Sequence, residues 1–153
     1  VNEAGFWTKV RGAINDTPHA RAHKLTDMFT AGTPDALYCI DGVTGVLELK
    51  YVPAWPVRDA TLIEVGLTEA QRVWLEEWRG RAGGRAHVLL GVAKDWFLLE
   101  LHEVPPAPAE GKLPRISRIA LDAIRRQGRG ATFKDLAGLL PATLAQQASP
   151  VVD

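Results

Sequence analysis

Two stretches decide how this chain reads: Gly32-Thr33-Pro34-Asp35 and, a little further on, Gly45-Val46-Leu47-Glu48-Leu49-Lys50-Tyr51. Side chains alternate between the two faces of a β-strand. Glu48 and Lys50 therefore share one face, while Leu47, Leu49 and Tyr51 point the other way, toward a core. A carboxylate beside an ammonium on one strand face is either a plain ion pair or a metal ligand with a catalytic neighbour, and alternation alone leaves both open. The residues ahead sharpen the choice. Ala36–Ile40 and Val43–Val52 read as two strands joined at Asp41-Gly42, a dipeptide that favours a tight hairpin turn. Such a hairpin brings Asp35, at the start of the first strand, up to Glu48 and Lys50 in the second. Two carboxylates converging beside a lysine are costly unless a cation sits between them. Magnesium, with manganese as its substitute, suits oxygen ligands of this kind and completes its shell with water and phosphate.

Working outward, residues 2–14 predict a first helix, with Phe6, Val10 and Ala13 or Ile14 near helical spacing. Residues 15–33 read as irregular and polar and hold His19, Arg21, His23 and Lys24 close together, with only a weak strand pattern. Arg21, His23 and Lys24 are candidates for phosphate contact. Trp55, between Pro53 and Pro56, is the aromatic placed to stack on DNA bases. Thr61–Val65 reads as a further extended piece. Thr68 to Arg79 is the clearest helix: Thr68 caps it, Gln71 completes a capping box, and Val73, Trp74 and Trp78 form the expected buried stripe, with Leu75 beside it. His87–Val92 and Trp96–Leu101 predict two strands around Lys94-Asp95. Cys39, the single cysteine, is expected as a buried core thiol, which excludes an internal disulfide or a cysteine-built zinc site.

The segment after residue 104 changes character. Pro105, Pro106 and Pro108 make a stiff connector. Ile116, Ile119, Ala120, Ala123 and Ile124 predict a helix, broken by Gly128 and Gly130, with Thr132 capping a second. Between Lys112 and Asp135 stand Lys112, Arg115, Arg118, Arg125, Arg126, Arg129 and Lys134 against only Asp122 and Asp135. This basic surplus suits either a DNA backbone or a helix pair packed on the core or on a second copy. The expected division is a core over 1–104, a connector over 105–113, a basic helical extension over 114–140 and a tail over 141–153.

Lysine plus arginine equal aspartate plus glutamate at 18 each, so overall charge advertises no partner. No apolar run approaches the roughly 20 residues of a membrane span. No basic-then-apolar export pattern stands at the start, and an intracellular setting is expected.

The two opening motifs, followed by Gln71 on a helix, resemble the PD-(D/E)xK nuclease superfamily, in its VRR-NUC and Holliday-junction-resolvase-like branch, which includes small phage enzymes. The resemblance spans residues 2–101. It implies an α/β (mixed α+β) fold: a restriction-endonuclease-like core with a central mixed sheet flanked by helices, here with a small C-terminal helical extension. It implies that Asp35 and Glu48 hold Mg²⁺ with the Leu49 carbonyl, that Lys50 orients the attacking water and steadies phosphate charge, that Glu3 stands near the metal and that Gln71 supports the site. The expected activity is hydrolysis of DNA phosphodiesters, on branched DNA by a homodimer. A restriction- or repair-type duplex nuclease and a non-catalytic DNA-binding module are the alternatives.

Overall fold

The computed structural model describes residues 2–26, 30–129 and 133–140. Helix α1 (Glu3–Asn15) starts where the Asn2 side chain accepts the Gly5 N–H at 2.9 Å, and it buries Phe6, Val10 and Ile14 at four-residue spacing. Strand β1 (Ala20–Lys24) follows, then β2 (Ala36–Ile40) and β3 (Val43–Val52). Asp41 and Gly42 both take positive φ, the conformation a two-residue hairpin turn needs, and Ile40 faces Val43 across it. After the short β4 (Ile63–Glu64) come α2 (Glu69–Glu76) and a π-helical turn over Glu77–Arg81. Strands β5 (Arg85–Val92) and β6 (Asp95–Glu100) form a second hairpin. The chain continues through β7 (Arg115–Ile116), α3 (Arg118–Asp122) and β8 (Gln127–Gly128).

Six strands form one sheet in the order β1-β2-β3-β5-β6-β8, and β4 pairs with β7 in a small second sheet. The β3–β5 pair is parallel and its neighbours are antiparallel. A parallel pair needs a long crossover, and here that crossover carries α2. A mixed sheet with flanking helices is what the sequence predicts.

Each face of the sheet has its own core. On one, Phe6, Val10 and Ile14 of α1 pack on Ala36, Tyr38, Leu47, Leu49, Leu89 and Leu98, joined by Phe133, Leu136 and Leu140. On the other, Leu75 of α2 packs with Val46, Val88, Leu90, Phe97 and Leu99, alongside Ile63, Val65, Ile116 and Leu121. The alternation of β3 is realised: Leu47 and Leu49 enter the α1 core, while Val46, Glu48 and Lys50 belong to the α2 face.

Several expectations are corrected. Residues 20–24 form a true edge strand, although its outward residues are polar. Of the α2 stripe only Leu75 is buried; Val73 is exposed, and Trp74 and Trp78 are half-buried and stacked on each other. The helix drawn through Ile116–Ile124 is one five-residue turn: Ile116 is strand, paired with Ile63, and Ile119 is 80% exposed. Gly128 does not break a helix but lies in β8, opposite Trp96, whose indole occupies the space a Cβ would need. Cys39 is exposed, because Ala36, Tyr38 and Ile40 are the β2 positions that enter the core. Gly130, Thr132 and the tail after residue 140 lie outside the described residues.

Candidate active site

The β2–β3 register fixes the centre of the site. Ala36 faces Leu47, so one step further along the ladder Asp35 stands opposite Glu48. The Asp35 carboxylate reaches across and accepts the Leu49 backbone N–H at 2.8 Å. Glu48 is only 1% exposed. Its Oε1 accepts a hydrogen bond from the Gln71 side-chain amide at 3.0 Å and lies 3.5 Å from Lys50 Nζ. Its Oε2 is buried and accepts no hydrogen bond from the described residues, with the Asp35 carboxyl beside the group. Burial pushes the Glu48 carboxyl up to about 8, the negative charge of Asp35 adds to the rise, and Lys50 opposes it.

Gln71 performs both of the jobs its position allows. Its Oε1 accepts the Thr68 N–H at 2.9 Å, and its own N–H donates to Thr68 Oγ1 at 3.2 Å, a complete capping box. Because the carbonyl end is engaged by the helix cap, the NH₂ end is free to turn to Glu48. The cap thus fixes which end of the amide faces the carboxylate. Gly32 explains why the motif opens with glycine. Its φ is +85°, and a Cβ there would overlap the Ala70 carbonyl oxygen at the start of α2. The turn that delivers Asp35 is packed directly against the turn that delivers Gln71.

The remaining expected residues fall in different places. Glu3 is exposed and lines a cleft of about 250 Å³ together with Trp7, Lys24, Asp35 and Leu49. Among the described residues no three His, Cys, Asp or Glu side chains converge as a metal-binding group, so Glu3 does not complete a triad with Asp35 and Glu48. Lys24 also borders a second cleft of about 380 Å³, with Thr26, Thr30, Asp35 and Gln71 on its walls. Asp35 is therefore the partition between two openings. Arg21 and His23 are exposed on β1. Cross-strand partners share a face, and Arg21 pairs with Cys39 and then Thr44, His23 with Leu37 and then Val46. Both cations thus project from the sheet face that carries Glu48 and Lys50.

Trp55 is not the open stacking surface its sequence context suggests. Its indole N–H donates to Asp95 at 2.9 Å, its ring meets Phe97 edge-on, and the Arg118 guanidinium lies 4.4 Å from its centroid. Three of the seven basic residues between Lys112 and Asp135 pair within the fold: Arg118 with Asp59, Arg126 with Glu103, and Arg129 with Asp95 and Asp122. A further cleft of about 400 Å³ lies between the start of α2 and residues 106–114 and is lined by neither Asp35 nor Glu48.

No family model and no curated protein matches this chain. Among solved structures it is similar to Hjc of Archaeoglobus fulgidus, a Holliday junction resolvase from an archaeal hyperthermophile, with a TM-score of 0.51 and 14% sequence identity over 88% of this chain and 93% of that one. At this identity the likeness is one of fold. Among the described residues no helix is long and apolar enough to cross a membrane.

Proposed function

We propose that this chain is a divalent-metal-dependent DNA endonuclease that hydrolyses phosphodiester bonds of branched or otherwise structured DNA, in the resolvase-like and VRR-NUC branch that its motifs resemble. The observation that carries this reading is Glu48: a carboxylate buried on a central strand, with one oxygen unpartnered, beside Asp35, Lys50 and Gln71. A buried ionisable carboxyl of this kind costs a fold stability and is kept where chemistry needs it. A non-catalytic binding module has no such need.

The donor set fits a hard dication. Two carboxylates, with the Leu49 carbonyl next to them, are all-oxygen ligands, and Mg²⁺ commonly takes one or two carboxylates and keeps several waters. Asp35 and Glu48 would hold the ion, and Glu3 would act at most through water from the far wall of the Asp35 cleft. When bound, the ion supplies Lewis-acid polarisation of the phosphate and a more acidic water. The protein's own part is positioning. Gln71 holds Glu48 Oε1 and so fixes the carboxylate plane. Lys50, with its side chain 16% exposed, sets a cation between Glu48 and solvent, where it orients the attacking water and steadies charge building on the phosphoryl oxygens. Lys24, Arg21 and His23 meet the flanking phosphates. Cutting two opposed strands of a junction calls for a symmetric pair of copies.

The test is cleavage of four-way junction, flap, single-stranded and linear duplex DNA with Mg²⁺ or Mn²⁺. Cutting is expected with the wild type and not with Asp35→Asn or Lys50→Ala. No cutting of any substrate by folded protein would remove the proposal, and an undiminished rate in either variant would remove that residue from the mechanism.

A further inference from the structure

The two flanks of α2 are not alike. On one, Arg72 donates to the Val104 and Pro105 carbonyls at 3.3 and 2.8 Å, tying the helix to the chain after β6. Leu75 faces the sheet. On the other flank stand Gln71, Trp74 and Trp78, three and four residues apart and therefore in one row. Gln71 touches Glu48 of β3, so this row overlooks the β2–β1 side of the sheet. There no other described element covers the α2 face of the sheet: Arg21, His23 and Cys39 are exposed, and Leu37 is half-buried, joining Trp74 and Trp78 at the margin of the α2 core.

Trp74 and Trp78 are stacked, with centroids 5.3 Å apart and planes 17° from parallel. Trp78 is anchored by its indole N–H to the Arg85 carbonyl at 3.0 Å, and it fills the space above Gly84. The pair borders a cleft of about 270 Å³ that also includes Glu77, Arg81 and Ala82. An anchored, half-exposed indole pair beside Arg81, on the same side of the sheet as Arg21 and His23, combines the two elements used to hold single-stranded nucleic acid: a cationic track for phosphates and an aromatic surface for base faces. In a duplex the bases stack on one another and offer no free face.

We infer that the strip from Arg21 and His23 to Trp74 holds an unpaired nucleic-acid strand and leads it to Glu48 and Lys50. This rests on the nuclease reading and narrows it, since the substrate class becomes DNA with a single-stranded segment next to the cut. Phosphates run over β1 and β2, and a base packs on Trp74.

Cys39 makes the inference directly testable, because the chain's only cysteine lies on the floor of the strip, opposite Arg21. Its alkylation by a maleimide is followed in EDTA, with an oligothymidylate or a blunt duplex of equal length. The expected result is several-fold slower alkylation with the oligothymidylate and little change with the duplex. Trp74→Ala and Arg21→Glu should each raise the oligothymidylate concentration for half-protection about tenfold, with the melting temperature retained. Arg21 is a surface strand position, so its variant reports even if Trp74→Ala folds poorly. Alkylation unaffected by saturating oligothymidylate, equal protection by duplex, or undiminished protection in folded variants overturns the inference. Protection without cleavage of any substrate by Mg²⁺-loaded protein removes the nuclease reading and leaves the strip standing; cleavage without protection does the reverse.

Discussion

Replacing Glu48 by glutamine removes an ionisable group without changing shape, and the structure gives the size of the effect. The Glu48 carboxyl titrates at about 8 in the fold, against an ordinary 4.5. A group raised in this way binds its proton more tightly folded than unfolded. It therefore leaves stability untouched below about 4.5 and removes it progressively as pH climbs toward 8. Between pH 4.5 and 7 the loss is about 3 kcal/mol, taking roughly 1.4 kcal/mol per pH unit and allowing for half-ionisation at the lower limit. Glutamine cannot ionise. The unpartnered Oε2 position holds a neutral polar group in both the amide and the protonated acid, so that contribution cancels near pH 4.5, as do all other titrations shared by the two proteins. The informative quantity is thus the change in their difference with pH. Thermal unfolding in EDTA should show Glu48→Gln melting roughly 6–12 °C above wild type at pH 7, relative to their difference at pH 4.5. Mg²⁺ should raise the wild-type midpoint at pH 8 and leave the variant where it was. A difference independent of pH, or a variant that gains nothing at pH 7 to 8, would refute the burial argument. A variant that responds to Mg²⁺ like wild type would remove Glu48 from the metal site.

Thr68→Ala and Gln71→Ala separate the cap from the carboxylate support: each should lose about 1 kcal/mol of stability in urea unfolding, but only Gln71→Ala should also lose DNA cleavage, by at least tenfold. Equal cleavage in the two would show that Gln71 serves the helix alone. Gly32→Ala forces a side chain into a φ of +85° and against the Ala70 carbonyl, so it should cost about 1–3 kcal/mol and depress cleavage as Asp35 and Gln71 move apart. Wild-type stability in that variant would place the turn elsewhere. Ile119→Lys, on an 80% exposed residue, should change stability by less than about 0.5 kcal/mol, whereas Leu121→Ala, fully buried, should cost about 2–5 kcal/mol. The reverse order would restore the long helix expected from sequence.

The parts of the fold legible in sequence are those whose signals are local. Asp41-Gly42 sets a turn whatever surrounds it, and the Glu48–Lys50 alternation then fixes which face carries the carboxylate. Phe6, Val10 and Ile14 identify α1 by spacing alone. What could not be read depends on distant partners. Residues 20–24 carry a strand with polar outward positions because, among the described residues, no layer lies over one face of the β1–β2 edge. The same open face exposes Cys39 in an otherwise apolar run. Strands β7 and β8 are two residues each and exist through pairing with segments far along the chain, whereas β4 falls inside the extended piece expected over Thr61–Val65. In α2 the periodicity located an apolar stripe but not its centre, since Leu75 rather than Trp74 meets the sheet.

The site itself shows why local and global signals meet at Glu48. Within the buried stretch of β3, Gly45 to Leu49, Glu48 is the one ionisable residue in a strand position that is ordinarily apolar. Such violations mark function when the surrounding structure is arranged to hold them. Here the arrangement reaches three separate elements: the Gly32 turn supports the start of α2, the Thr68 cap orients Gln71, and Gln71 holds Glu48. Their joint presence around one unfavourable carboxylate is the arrangement on which the proposed metal-dependent hydrolysis rests.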